Sequence, residues 1–135
     1  MTEHEVVIAG AGPTGMMLAA ELALAKVDVA VLERRASPDL ESARAGGLHC
    51  RTIEVLDQRG IADRFLAEGQ TAQVLSFASV RLDLGGFPTR HPYALGLWQN
   101  HIERILADWV GELGIAIHRG CAVTGFVQDE AGVEV

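Results

Sequence analysis

The apolar positions of this chain fall into short runs separated by polar and glycine-rich punctuation. Residues 5–9 are a nearly continuous β-branched run ending at a glycine cluster, which predicts a strand buried on both faces of a parallel sheet. Residues 13–26 predict a helix: Pro13 suits the first turn, and Ala19, Ala20 and Ala23 make a face small enough to approach a sheet closely. Residues 28–32 return as a second apolar strand, and strand, helix and parallel strand in that order make a βαβ unit.

Residues 35–50 turn to Ser, Pro, Asp, Gly and Arg, which supply no regular apolar face and predict a long loop of the kind that carries function. A helix follows at 52–59, stopped by Gly60, with a further helical turn at 61–67. Residues 74–84 alternate, with Val74, Ala78, Val80, Leu82 and Leu84 on one face, and Gly85-Gly86 offers the hairpin turn. The hairpin region, 74–98, is expected to leave the nucleotide-binding core. The clearest periodicity is at 100–113, where Ile102, Ile105, Leu106, Trp109, Val110 and Leu113 share a face and Glu103, Arg104, Asp108 and Glu112 lie opposite. Asn100 and Glu103 approximate a capping box, and Gly114 ends the helix before a strand at 115–118. Two short antiparallel strands, 122–128 and 133–135, complete the reading. The fold class is α/β: a Rossmann-like βαβ core with a parallel sheet plus antiparallel strands, residues 1–135 forming the N-terminal portion of an incomplete domain.

Composition narrows the classes of partner. With 135 residues and 49% hydrophobic content the chain fits one globular core, and a net charge of -7 without a basic block argues against nucleic acid. The longest apolar stretch, 16–24, is broken by Glu21 and is too short to span a membrane. The acidic start lacks the layout of a secretory signal, which predicts a cytoplasmic location. Cys50 and Cys121 are far apart and have no metal-ligand spacing, so both are expected as sheltered free thiols. No two histidines have helical ligand spacing, and no metal site is expected.

Chemistry concentrates where the first strand meets the first helix. Gly10-Ala11-Gly12-Pro13-Thr14-Gly15 is a complete G-x-G-x-x-G: Gly10 for the tight turn, Gly12 for backbone approach to a pyrophosphate, Gly15 for close packing of helix on strand. The helix N-terminus adds unpaired amides and a positive dipole end. Glu33, at the end of the second strand, stands near the offset expected for an acid that accepts hydrogen bonds from ribose hydroxyls. These features point to a dinucleotide and leave FAD and a nicotinamide both open.

Together with Glu33-Arg34, the loop Arg44-Ala45-Gly46-Gly47-Leu48-His49-Cys50-Arg51 and the Trp98-Gln99 pair before the last helix, this motif resembles the p-hydroxybenzoate hydroxylase superfamily. Within it the chain is most similar to bacterial polyketide and antibiotic hydroxylases of the rifampicin monooxygenase type. The resemblance implies FAD as cofactor. Arg44 is expected on its pyrophosphate, Gln99 at its ribityl chain and Val123 at its adenine, with Arg34 also among the cofactor-binding positions. It implies NADPH or NADH as reductant, trapping of O2 by reduced flavin as a hydroperoxide, and oxygen transfer to an aromatic or polyketide substrate.

The family's later FAD-contacting motif and its substrate-binding sheet fall beyond residue 135. The segment alone is therefore expected to bind FAD weakly without hydroxylating, and the rest of the same enzyme is the expected partner. An NAD-dependent dehydrogenase half and a non-catalytic FAD-binding module remain the alternatives.

Overall fold

The computed structural model describes residues 2–39 and 45–135. In chain order the elements begin with β1 (Val6–Ala9), α1 (Pro13–Leu24), β2 (Val29–Glu33), β3 (Gly47–Leu48), α2 (Cys50–Gln58), α3 (Ala62–Leu66) and β4 (Gln70–Ala72). They continue with β5 (Val74–Phe77), β6 (Val80–Asp83), β7 (Ala94–Gly96), α4 (Gln99–Glu112), β8 (Ile117–Arg119), β9 (Val127–Gln128) and β10 (Val133–Glu134). The chain divides into two compact units, residues 1–39 with 106–135, and residues 40–105, so α4 is shared between them. No helix among the described residues is long and apolar enough to cross a membrane.

The first unit is built on a parallel sheet ordered β1-β2-β8, with β2 in the middle. The βαβ reading holds, because β1 and β2 pair in parallel from Val6 with Val29 to Ala9 with Leu32, and α1 connects them. Met16, Ala19 and Ala20 are fully buried, whereas Ala23 is only half-buried. The expectation that the first strand is covered on both faces is corrected. Ile8 is buried, but Val7 and Ala9 on the opposite face are exposed, since β1 is the edge strand of this three-stranded sheet and only its α1 side is packed. The central strand β2 has the two-sided burial instead, with Val29, Ala30 and Val31 all buried.

Strand lengths after α4 are also revised. Pairing with β2 places β8 at Ile117–Arg119, so the strand lies farther along the chain than the apolar run at 115–118 implied. Of the 122–128 run only Val127 and Gln128 pair, with Glu134 and Val133, and Ala122 and Val123 instead line the cleft described below.

In the second unit, the antiparallel sheet β3-β7-β4 packs against α2, which in turn packs against α3. A separate hairpin, β5–β6, turns at Ala78-Ser79 rather than at Gly85-Gly86. Phe77 pairs with Val80 across a two-residue loop, and positive φ at Ala78 (48°) and Ser79 (67°) gives the turn the twist that matches two strands. Reversal at that point also undoes the expected alternation. Leu75, Phe77, Val80 and Leu82 share one face, and Val74 lies on the other with Ser76, Arg81 and Asp83.

Near the end of this hairpin the segment Thr89–His91 is clasped to α2. Asp57 lies 3.0 Å from His91 Nε2 and 3.2 Å from Arg90, while His91 Nδ1 meets the Tyr93 hydroxyl at 2.8 Å. The close approach of the His91 imidazole holds the Asp57 carboxyl below the usual carboxylate range, and Arg90 adds to it, against a smaller opposing effect of desolvation.

Candidate functional site

The glycine turn closes the gap between β1 and α1 by backbone contacts that a side chain would block. Gly10 adopts φ 109°, and its amide donates to the Leu32 carbonyl at 2.7 Å, tying the turn to the end of β2. A β-carbon at Gly15 would stand 2.0 Å from the Gly10 oxygen and 3.4 Å from Ile8 Cγ2, so the helix can approach the strand only without one. Pro13 opens α1 as its first residue. Gly12 is the N-cap with no side-chain cap, no acidic residue stands in the first turn, and a β-carbon at Gly12 would meet nothing within 4 Å. That end of the helix is therefore open and carries the partial positive charge that suits a phosphate.

Glu33 is 4% exposed and is tied into the same turn. Its Oε2 accepts the Ala11 amide at 2.7 Å, and its Oε1 accepts the Arg35 amide at 2.8 Å and the Arg35 Nε at 3.2 Å. Burial on its own would raise the Glu33 pKa. The Arg35 and Ala11 amides and the Arg35 guanidinium outweigh that burial and hold the carboxyl below its ordinary range. The group is thus an ionised acceptor at neutral pH.

A cleft of about 250 Å³ opens at the carboxyl ends of the parallel strands, lined by Ala9, Gly10, Leu32, Glu33, Arg34, Cys121, Ala122 and Val123. This is the place where open α/β sheets receive ligands. One wall hangs from the site's own backbone, because the Cys121 amide donates to the Glu33 carbonyl at 3.0 Å and the Gly120 amide to the Arg35 carbonyl at 3.2 Å. Cys121 is exposed and Cys50 half-buried, which corrects the expectation of two sheltered thiols: the chain turns outward after β8, and Cys121 stands on the rim.

Of the sequence-predicted residues, Gly10, Glu33, Arg34 and Val123 meet around this cleft, and Ala11, Gly12, Pro13, Thr14 and Gly15 form the turn and helix start of the same unit. Gln99 belongs to the second unit. Its amide donates to the Ala45 carbonyl at 3.1 Å, its Oε1 accepts the Ala45 amide at 3.3 Å, and its Nε2 donates to Glu103 at 2.8 Å. Two expectations for this helix change. It begins at Gln99, and Glu103, assigned to the outer face and to a capping box, is buried and receives the Gln99 side chain instead. Trp98 packs its ring over Gly46, where a β-carbon would come within 3.3 Å of it. Arg44 lies outside the described residues. Sequence reasoning placed neither Arg35 nor Cys121 nor Ala122 at the site. Arg35 carried a signal in being a cation two positions beyond the strand-end acid, whereas residues 121 and 122 carried none until β8 was placed beside β2.

The FAD binding domain family matches residues 3–135. A 12-dehydrotetracycline 5-monooxygenase/anhydrotetracycline 6-monooxygenase from Streptomyces rimosus subsp. rimosus is 49% identical over 134 residues, covering 98% of this chain and 26% of the relative. A rifampicin monooxygenase from Streptomyces venezuelae is 45% identical over 138 residues, covering 97% of this chain and 28% of that protein. Among solved structures, the anhydrotetracycline hydroxylase OxyS from Streptomyces rimosus superposes with a TM-score of 0.93 at 48% identity, over 98% of this chain and 27% of that one. The chain spans about a quarter of the length of these relatives and belongs to the FAD-binding domain family.

Proposed function

We propose that this chain holds the adenosine diphosphate end of FAD within an NAD(P)H-using monooxygenase that hydroxylates an aromatic or polyketide substrate with O2. The observation that carries the reading is an ionised Glu33 and the Gly10 turn lining one cleft, with Glu33 bonded to the Ala11 amide just ahead of the uncapped start of α1. In this reading the Glu33 carboxylate accepts a hydrogen bond from a ribose hydroxyl, and the Gly12, Thr14 and Gly15 amides face the pyrophosphate. The main chain at Val123 borders the adenine, and Arg34 covers its exposed side. Gln99, Arg44 and the 45–47 segment serve the ribityl and pyrophosphate portions. When bound, FAD supplies the redox and oxygen-transfer chemistry, and the protein's task is to orient it and to exclude water.

The rest of the enzyme, with the substrate pocket, is the partner required for hydroxylation, and a cytoplasmic location would supply the reductant. The hairpin region, 74–98, extends toward that remainder. Its apolar face, with Phe77 87% and Val80 69% exposed, supports this assignment. The test is titration of the purified chain with FAD, followed by flavin fluorescence, and with NADH as competitor. Saturable FAD binding abolished by Glu33→Ala is expected; NADH binding in preference to FAD would replace this reading with the dehydrogenase one.

A further inference from the structure

The donors around Glu33 are distributed unequally over its two carboxylate oxygens. Each carboxylate oxygen has about two acceptor positions. On Oε1 both are taken, by the Arg35 amide and by Arg35 Nε, whereas Oε2 receives only the Ala11 amide among the described residues. Arg35 does this from behind the site: it is absent from the cleft lining, and its side chain is 26% exposed against 6% for that of Glu33. Its carbonyl also accepts the Gly120 amide, so the same residue anchors the strand end that leads into the Cys121–Val123 wall.

We infer that Arg35 is the positioning residue of the site, filling Oε1 so that Oε2 is the oxygen presented to a ribose hydroxyl. This rests on the nucleotide reading of the cleft and adds a residue that touches no ligand. Other charged groups near Glu33 act differently. Arg34 lines the cleft with no hydrogen bond to the carboxylate, and Arg119 stands opposite Glu33 in the β2–β8 register with its buried Nη1 unpartnered among the described residues. Neither supplies a donor to Oε1. Replacing Arg35 therefore frees one acceptor position, loosens the rotamer and removes the adjacent cation that favours the ionised form.

The experiment has two readouts on the purified 135-residue chain. The first is an NMR titration of the Glu33 side-chain carboxyl without any nucleotide, its signal assigned by loss in Glu33→Gln. The second is the FAD dissociation constant at pH 7.5 and 5.0. Arg35→Ala should move the Glu33 titration to higher pH and weaken FAD binding about fivefold at pH 7.5, with a larger factor at pH 5.0. Arg35→Lys, which keeps the charge but not the planar donor, should fall between Ala and the parent. Arg34→Ala should change affinity and leave the titration in place.

An unmoved Glu33 titration in Arg35→Ala, or an affinity factor equal at both pH values, overturns the inference. If the parent chain binds no FAD at all, the functional reading fails, and the nucleotide-free titration still decides the role of Arg35.

Discussion

At Gly15 the separation between helix and strand is set by a single missing methyl group. A β-carbon there would overlap the Gly10 carbonyl, a backbone atom that cannot swing aside, so Gly15→Ala should destabilise the chain by at least about 2 kcal/mol, read as a lower urea midpoint. A midpoint equal to the parent's would show that the turn relaxes freely. Glu33 gives a prediction of the opposite character, in pH. Its folded-state pKa lies below the unfolded value of about 4.3. It therefore contributes stability above that pH, which is lost as pH falls toward the lowered folded value. Comparing denaturation of the parent and Glu33→Gln from pH 7 to pH 3, the stability gap should close below about pH 4.3; a gap constant across the range contradicts the assignment.

Among the elements, those legible in advance are the ones whose ends are fixed by chemistry local to the chain. The β1 turn α1 unit was readable because glycines and Pro13 admit few backbone paths, and α4 because its apolar spacing is long and regular. Hidden features depended on tertiary partners. The hairpin turn was misplaced because Ala78-Ser79 has no glycine to mark it, while the nearby Gly85-Gly86 pair does. Glu103 looked like a surface acid because periodicity reports which face is apolar and cannot report that Gln99 would bond to it. The cleft wall at 121–123 was likewise unreadable apart from Val123, which family resemblance supplied. The turn offers a direct test. Two non-glycine residues held at positive φ carry strain that Asn-Gly would not, so the double change Ala78→Asn, Ser79→Gly should stabilise the chain by about 1 kcal/mol. No gain in thermal or urea stability would mean the turn is differently shaped in solution.

At the scale of the whole molecule, the apolar face of β5–β6 stands exposed. The isolated chain should bind a hydrophobic dye such as ANS, and Phe77→Ser should reduce that signal without altering FAD affinity; an unchanged signal would place the apolar surface elsewhere. On the proposed function, a polypeptide of the relatives' full length should couple NAD(P)H oxidation to product formation, and hydroxylation by the present chain alone would contradict that reading. The exposed Cys121 on the cleft rim has a practical corollary. Because adenosine in the cleft would shade that sulfur and spare Cys50, the rate of alkylation at one native thiol becomes a built-in gauge of how many molecules in a preparation are loaded, readable by mass spectrometry with no label introduced.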